Sequence, residues 1–188
     1  MSKRFYPSIN GIYFKNFDMV EDANSIKHIR GDLYIDDKCI GYYNPVYQPG
    51  ENAPTQYFLR LEDEFKFIYE KERKYESIFN KTAIPLAEYD CPVGLQELLA
   101  DLEIVTCLYE FMSSVRPHCD FDSLGMIGII NGTDEKPIIK VIQIRDESIR
   151  TDEQILQFIN DKVASIYLDS RYPVKLFKTQ SDFTINNI

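Results

Sequence analysis

Residues 117–122 read Pro-His-Cys-Asp-Phe-Asp and form the densest group of potential metal ligands in the chain. Zinc accepts imidazole, thiolate and carboxylate ligands, so His118, Cys119 and Asp122 are candidate ligands of a site completed from elsewhere. However, adjacent residues rarely satisfy tetrahedral geometry together, and the sequence contains no second ligand cluster. The alternative is a polar linker after a helix, with His118 near the negative end of the helix dipole. We favour the linker and predict neither a bound metal nor a cofactor.

A second group of carboxylates could hold Mg²⁺ in the manner of metal-dependent nucleases. It consists of Asp32, Asp36 and Asp37, with Lys38 to support an attacking water. That chemistry needs two acids that converge on one ion, with phosphate oxygens completing its shell. The same residues suit a tight turn, because Asp side chains hydrogen-bond to the local backbone. We favour the turn and keep the nuclease as an alternative hypothesis.

Acidic residues that are clustered in the sequence are the main candidates for binding a partner. A carboxylate-rich surface can dock on a basic surface of another protein and compete there with nucleic acid. The alternative is that these acids are ordinary solvated helix faces, turns and helix caps. The candidate acids are Glu62, Asp63, Glu64, Asp134, Glu135, Asp146 and Glu147.

Tyrosines crowd the proline-rich segment of residues 44–55. Tyrosine provides a large contact area with a polar tip, and it is enriched at protein interfaces. Tyr43 and Tyr47 are therefore candidate interface residues. The alternative is that they pack this loop onto a sheet.

Composition indicates a folded acidic protein. The 188 residues carry a formal net charge of −9, yet they include 13 Tyr and 12 Phe, and 44% are hydrophobic. Disordered acidic tails lack such apolar content. The acidic balance also opposes phosphate backbones, so we expect no direct binding of nucleic acid.

Several classes of protein are excluded by missing motifs. The sequence contains no glycine-rich phosphate loop, no HExxH, no GxSxG and no kinase signature. The four cysteines form no CxxC pair, which indicates reduced thiols rather than a disulfide framework. No run reaches the length of a membrane helix and the first residues do not resemble a signal peptide, so we expect a cytoplasmic protein without a membrane partner.

The pattern of elements changes along the chain. Residues 11–17 and 31–44 have strand patterns, and the polar segment 18–30 between them is predicted as a loop or a short helix. Apolar residues at helical spacing predict two long helices, over residues 57–80 and 92–114. The second of these has the strongest periodicity, with Glu97, Asp101, Glu103 and Glu110 on its other faces.

The last third returns to β structure. Two β-branched runs, 126–130 and 138–144, flank Asn-Gly-Thr-Asp-Glu-Lys-Pro, which predicts a β-hairpin. Thr151 to Gln154 is a capping-box sequence that predicts a helix, and residues 174–178 read as a final strand. The last five residues are predicted to fray.

This order of elements predicts the α+β class: N-terminal antiparallel strands, two long central helices, and a C-terminal β-hairpin with a helix and a strand. A chain of this length fits a single domain, residues 1–188. The alternative is two lobes, a β lobe of residues 1–50 and an α+β lobe of residues 56–188, separated at the proline-rich loop.

One segment of the chain resembles known proteins. It is the hairpin Gly-Asp-Leu-Tyr-Ile-Asp-Asp-Lys-Cys-Ile-Gly-Tyr-Tyr, which is followed by a polar loop and a Glu- and Lys-rich stretch. It resembles small acidic proteins of phages and mobile elements of low-GC Gram-positive bacteria, over about the first third of the chain. Proteins of that kind include anti-CRISPR and anti-restriction proteins. The resemblance implies an antagonist of host defence and carries over no functional residue.

These observations lead to one main hypothesis and two alternatives. The main one is a non-enzymatic acidic protein that binds a basic surface of a protein partner, in its sharpest form as an inhibitor of a nucleic-acid-handling defence enzyme. The alternatives are a metal-dependent nuclease or hydrolase that uses clustered carboxylates, and a homo-oligomeric structural protein.

Overall fold

The computed structural model describes residues 4–21, 23–24, 26–47, 49, 56–61, 74–76, 78–79, 83–85, 93–115, 121–133, 136–163 and 166–186. The strands in this part of the chain are β1 (Ser8–Ile9), β2 (Ile12–Glu21), β3 (Lys27–Ile35), β4 (Lys38–Tyr47), β5 (Gln56–Leu61), β6 (Lys74–Glu76), β7 (Ala83–Pro85), β8 (Met126–Thr133), β9 (Lys136–Gln143), β10 (Lys175–Phe177) and β11 (Thr184–Ile185). The helices are α1 (Val93–Val115) and α2 (Asp152–Lys162), with short 3₁₀ turns at Asp122–Leu124 and Gln180–Phe183. The predicted α+β class is confirmed.

The chain forms two compact units, and α1 contributes residues to both. Unit 1 comprises Met1–Ser77, Thr82–Thr106 and Thr184–Ile188, and unit 2 comprises Ile78–Lys81 and Cys107–Phe183. No described helix is long and apolar enough to cross a membrane.

A six-stranded sheet forms the framework of unit 1, in the order β11-β1-β2-β3-β4-β5. Its strands pair antiparallel, except that β1 pairs parallel with β11. Two-residue turns with positive φ at both positions join β1 to β2 and β3 to β4. The first turn is Asn10-Gly11 and the second is Asp36-Asp37, and such turns match the right-handed twist of the strands.

Alternation of side chains determines which face of this sheet is buried. Ile12 and Phe14 of β2, Leu33 of β3 and Ile40 of β4 are buried. The first part of α1 adds a buried apolar stripe to unit 1: Leu95, Leu98, Leu99, Leu102 and Val105. These residues form the core of unit 1.

The prediction of a helix over residues 57–80 is wrong where the structure describes that segment. Residues 56–61 form β5, which pairs with β4 from Val46↔Gln56 to Gly41↔Leu61, and residues 74–76 form β6, which pairs with β7. The aromatic and aliphatic residues of β5 suit a strand as well as a helix. The ladder with β4 is a tertiary contact, and such contacts override a local helical pattern. Of the two long central helices, α1 is the one found among the described residues.

Two further local predictions are corrected by strand pairing. The segment 18–30 is largely strand, because β2 continues to Glu21 and pairs with β3 as far as Lys27. The chain end is also paired, since Thr184 and Ile185 lie beside Ser8 and Ile9.

Unit 2 is built on a three-stranded sheet in the order β10-β8-β9. On one face, Ile127 and Ile129 of β8 form a core cluster with Ile144 and with Ile155 and Ile159 of α2. On the other face, Gly128 lies so close to α1 that an added Cβ would come within 2.9 Å of Leu108 and Met112 side-chain atoms. The sheet is therefore packed between the end of α1 and α2.

The predicted C-terminal elements are confirmed in type, with one correction to the hairpin. The capping box at Thr151 is present, because Thr151 Oγ1 accepts from the N–H of Gln154 and Gln154 Oε1 accepts from the N–H of Thr151. The sequence predicts that the Asn-Gly pair begins the turn, but Asn131 and Gly132 are paired with Ile138 and Pro137 inside the ladder.

Burial of the Asn131 side chain explains this longer ladder. Asn131 is 1% exposed. Its Nδ2 donates to the carbonyls of Asp169, Tyr172 and Pro173, each at 3.2 Å, and its Oδ1 accepts from the N–H of Asp169 at 2.7 Å. One side chain thus satisfies the backbone of the turn that leads into β10.

We expect Asn131→Ala to lower the free energy of unfolding by about 3 kcal/mol, because it leaves buried backbone groups without partners. Denaturant unfolding monitored in unit 2 is the measurement. Gln143→Ala is the matched control: its exposed amide donates to the carbonyl of Leu124 at 2.9 Å, and its loss should cost about 1 kcal/mol or less. Equal effects of the two substitutions would contradict the role given to Asn131.

Candidate partner-binding site

A cleft of about 560 Å³ in unit 2 brings together three of the acids singled out in the sequence. Asp122 lies in the 3₁₀ turn that precedes β8, and Asp146 and Glu147 lie in the loop that follows β9. Ile149, Arg150 and Ile155 line it from the entry and the first turn of α2. Sequence positions about 25 residues apart therefore contribute to one surface.

The shape of this cleft depends on Gly125. This residue has a left-handed backbone with φ +61°, and an added Cβ would lie 2.1 Å from the carbonyl oxygen of Ile144. The same two residues are joined by a hydrogen bond of 2.9 Å, from the N–H of Ile144 to the carbonyl of Gly125. Only glycine allows this approach without displacing the backbone.

The loop after β9 fixes the orientation of Asp146. The hydroxyl and the backbone N–H of Ser148 donate to Asp146 Oδ1 at 2.7 and 2.9 Å. These bonds stabilise the anion and hold the pKa of the Asp146 carboxyl below its ordinary value. The group therefore stays ionised at neutral pH, on an exposed loop.

Some of the charged residues around the cleft form ion pairs or hydrogen bonds within the chain, and others form no ion pair with a described residue. Arg150 donates from Nε to the carbonyl of Glu147 at 2.8 Å and lies 4.0 Å from Asp122, and Lys178 pairs with Asp152 at 2.6 Å. Glu147 and Arg145 are both exposed, and neither forms an ion pair with another described residue. Glu147 thus presents a carboxylate that is free to bind a cation outside the chain.

The other candidate acids lie elsewhere. Asp32 accepts from Nδ2 of Asn16 at 2.7 Å, and Asp37 accepts from the hydroxyl of Tyr13 at 2.9 Å. Asp36 and Asp37 occupy the central positions of the β3–β4 turn, as the turn interpretation predicts. The remaining candidate residues lie outside the part of the chain that the structure describes: Glu62, Asp63, Glu64, His118, Cys119, Asp134 and Glu135.

Within the described ranges, no group of three or more His, Cys, Asp or Glu side chains is placed to hold a metal ion.

Tyr43 and Tyr47 belong to a buried network in unit 1. Tyr43 is 4% exposed and Glu103 of α1 is 8% exposed. The hydroxyl of Tyr47 donates to the Glu103 carboxylate at 2.9 Å, and the hydroxyl of Tyr43 lies 3.2 Å from Glu103 Oε2. The ring of Tyr43 is buried, and the hydroxyl of the partly exposed Tyr47 is bonded to Glu103, so we leave both tyrosines out of the proposed interface.

Burial changes the titration of this network. Loss of solvent raises the pKa of Glu103 to about 7, although the two tyrosine hydroxyls stabilise the anion and act in the opposite direction. Burial, with the nearby Glu103 charge, also raises the pKa of Tyr43. Glu103 is thus a buried carboxyl group of unit 1 with a pKa near neutral pH.

The sequence predicts that Asp101 and Glu103 lie on faces of α1 other than its apolar seam, and Asp101 is 1% exposed there. Burial of Asp101 and Glu103 therefore extends around α1 beyond its apolar stripe. One signal could have pointed to the network: Tyr43 and Tyr47 are four residues apart on one strand, a spacing that places both on one face.

Comparison of the chain with models of known protein families, with curated proteins and with solved structures gives no match.

Proposed function

We propose that this chain is a non-enzymatic interaction protein that binds a basic surface of a protein partner through Asp146 and Glu147. The observation that carries the proposal is the position of these two acids beside the cleft of unit 2. Asp146 is held in its ionised form by Ser148, and Glu147 has no ion pair among the described residues. Both carboxylates are exposed, so a cationic side chain can reach them.

The surroundings of the cleft favour a cation carried on an aliphatic stem. Ile149 and Leu124 line the cleft and are partly exposed, beside the charged rim. Lysine and arginine bury their methylene groups against such surfaces while the charged head remains at the rim. The net charge of −9 adds a long-range attraction for a basic partner, which speeds association and weakens as salt rises.

In its sharpest form, the proposal is that the partner is a nucleic-acid-handling defence enzyme and that this chain comes from a phage or mobile element. Enzymes of that class carry basic surfaces for phosphate backbones. An acidic protein bound there would inhibit by competing with nucleic acid.

The test is a comparison of two doubly neutralised proteins as baits in an extract of the native cell. Asp146→Asn with Glu147→Gln removes the proposed contacts. Glu153→Gln with Asp161→Asn removes two exposed acids of α2 that do not line the cleft, and so matches the change in net charge. Proteins captured by wild type are identified by mass spectrometry, and their affinities are then measured with purified components at several salt concentrations.

We expect the cleft variant to lose about tenfold or more in affinity, since each charge-assisted contact contributes about 1 kcal/mol or more. The α2 variant should lose only a small part through long-range electrostatics. Equal binding by the wild type and both variants would refute the site. Binding or activity that disappears in chelator and returns with Mg²⁺ would instead support the metal-dependent alternative.

A further inference from the structure

The outer edge of β9 is a second feature of unit 2 that the proposed function does not use. β9 lies at one end of the three-stranded sheet, and among the described strands it pairs with β8 alone. With eight residues it is the longest edge strand in the described part of the chain. An edge of this kind presents unpaired backbone groups that another extended segment can bind.

The register identifies which backbone groups face outward. Just beyond the ladder, which begins at Met126↔Gln143, the N–H of Ile144 donates to the carbonyl of Gly125, so even-numbered residues of β9 direct their backbone groups toward β8. Hydrogen-bonded and non-hydrogen-bonded pairs alternate in antiparallel sheets. The residues at odd positions, Ile139, Val141 and Gln143, therefore direct their N–H and C=O groups away from β8.

Pro137 agrees with this assignment. It occupies the next odd position, where its missing N–H faces outward and removes no bond from the ladder. The outward groups of Ile139, Val141 and Gln143 form no hydrogen bond with any other described residue. Three donors in regular succession are thus available to an incoming strand.

The side chains of β9 add apolar surface on both faces of this edge. Ile139 is 37% exposed, and Ile138, Val141 and Ile142 are each partly exposed. A bound strand would cover these residues while it completes the backbone ladder, as in other cases of β-strand addition.

The charge of β9 indicates which kind of extended segment can bind its outer edge. Residues 136–145 carry Lys136, Lys140 and Arg145 and no acid, in a chain whose net charge is −9. Lys140 is exposed. A second copy paired through the same edge would bring two positively charged strands together, and like charges on paired strands are destabilising. A segment that bears carboxylates would instead be attracted.

We propose that the outer edge of β9 binds an extended, acidic segment of a protein partner by β-strand addition, with aliphatic residues that alternate with carboxylates. The backbone of Ile139, Val141 and Gln143 forms the ladder, and Lys140 pairs with a carboxylate of the bound strand. Gln143 also lines the cleft, but the ladder uses its backbone and the side chain of Lys140 rather than the two acids, so Asp146→Asn with Glu147→Gln should leave it intact.

The probe is a short capped peptide that alternates valine and glutamate, titrated into the full chain and followed by backbone amide NMR. We expect the amides of Ile139, Val141 and Gln143 to shift and to gain protection from hydrogen exchange. The amides of Lys140 and Ile142, which already face β8, should change little. The comparison peptide alternates valine and lysine and should bind about tenfold more weakly.

Val141→Pro removes one outward donor without touching the bonds to β8, and should weaken the acidic peptide about tenfold. The matched control is Val141→Ala, which keeps the donor and loses more side-chain surface, and it should retain most of the binding. Unchanged exchange protection in β8 verifies that the proline variant is folded. If it does not fold, Lys140→Glu provides the second variant and should favour the lysine peptide.

Three outcomes would overturn this inference. One is the absence of changes at the three outward amides at the highest peptide concentration. Another is equal binding of the acidic and basic peptides. The third is protection of the outward amides in the free protein together with a dimeric size in solution, which would assign the edge to a second copy.

Discussion

Replacing Gly125 by alanine is expected to lower the free energy of unfolding by about 4 kcal/mol, the largest effect of a single methyl group that we expect in this chain. Two costs add. Alanine is disfavoured at φ +61°, and its Cβ would lie 2.1 Å from the carbonyl oxygen of Ile144, a backbone atom that cannot rotate away. The turn must open, and the hydrogen bond between Ile144 and Gly125 is then lost.

Gly11→Ala separates these two costs. Gly11 also has a positive φ, +80°, but the nearest atom to an added Cβ is a side-chain carbon of Ile35 at 3.9 Å. Its replacement should therefore cost only the conformational part, about 1 kcal/mol. Denaturant unfolding of both variants gives the comparison, and a Gly125→Ala protein as stable as Gly11→Ala would show that the close approach to Ile144 is not rigid.

The second large effect is a dependence of stability on pH through Glu103. Its pKa is raised from an ordinary value of 4.5 to about 7 in the folded chain. The folded state therefore holds the proton more tightly than the unfolded state between these values. The stabilisation is fully present below pH 4.5 and is lost as pH rises through 7. One pKa unit corresponds to about 1.4 kcal/mol, so the loss is about 3 kcal/mol.

Glu103→Gln isolates this contribution, because every other titrating group is common to the two proteins. We expect the difference in unfolding free energy between the variant and the wild type to shift by about 3 kcal/mol in favour of the variant between pH 4.5 and pH 8. Denaturant unfolding at intermediate pH values gives the profile. Parallel profiles for the two proteins would show that Glu103 does not titrate in this range.

Tyr47→Phe offers a second check on the same network. The Tyr47 hydroxyl donates to both oxygens of the Glu103 carboxylate, at 2.9 and 3.0 Å. Its removal takes away support for the anion, so the pKa of Glu103 should rise further. The pH at which stability falls should then move upward, whereas a purely steric role of Tyr47 would lower stability equally at every pH.

The proposed function and the β9 inference can fail separately. Loss of Asp146 and Glu147 tests contact with a basic surface, whereas Val141→Pro and Lys140→Glu test contact with an acidic strand. A partner that needs both contacts would be sensitive to both sets of substitutions. Because one molecule would then make two linked contacts, its overall affinity would exceed the affinity of either contact alone.

Local patterns in the sequence determined several elements of this fold. The apolar seam of α1 and the capping box of α2 predict helices that the structure contains, because helical spacing and cap chemistry involve residues within a few positions of one another. The β-branched runs of β8 and β9 likewise predict their hairpin. The α+β class follows from these elements and their order.

Tertiary structure decided what those patterns leave open. The helical spacing of apolar residues over 57–80 predicts a helix, but the ladder with β4 makes residues 56–61 the strand β5. Glu103 has the side chain of a surface residue, but two tyrosines from β4 make its burial tolerable. Asp122, Asp146 and Glu147 share a cleft only because the 3₁₀ turn and the loop after β9 meet across Gly125. In each case the deciding contact joins residues far apart in sequence, and no short-range pattern encodes it.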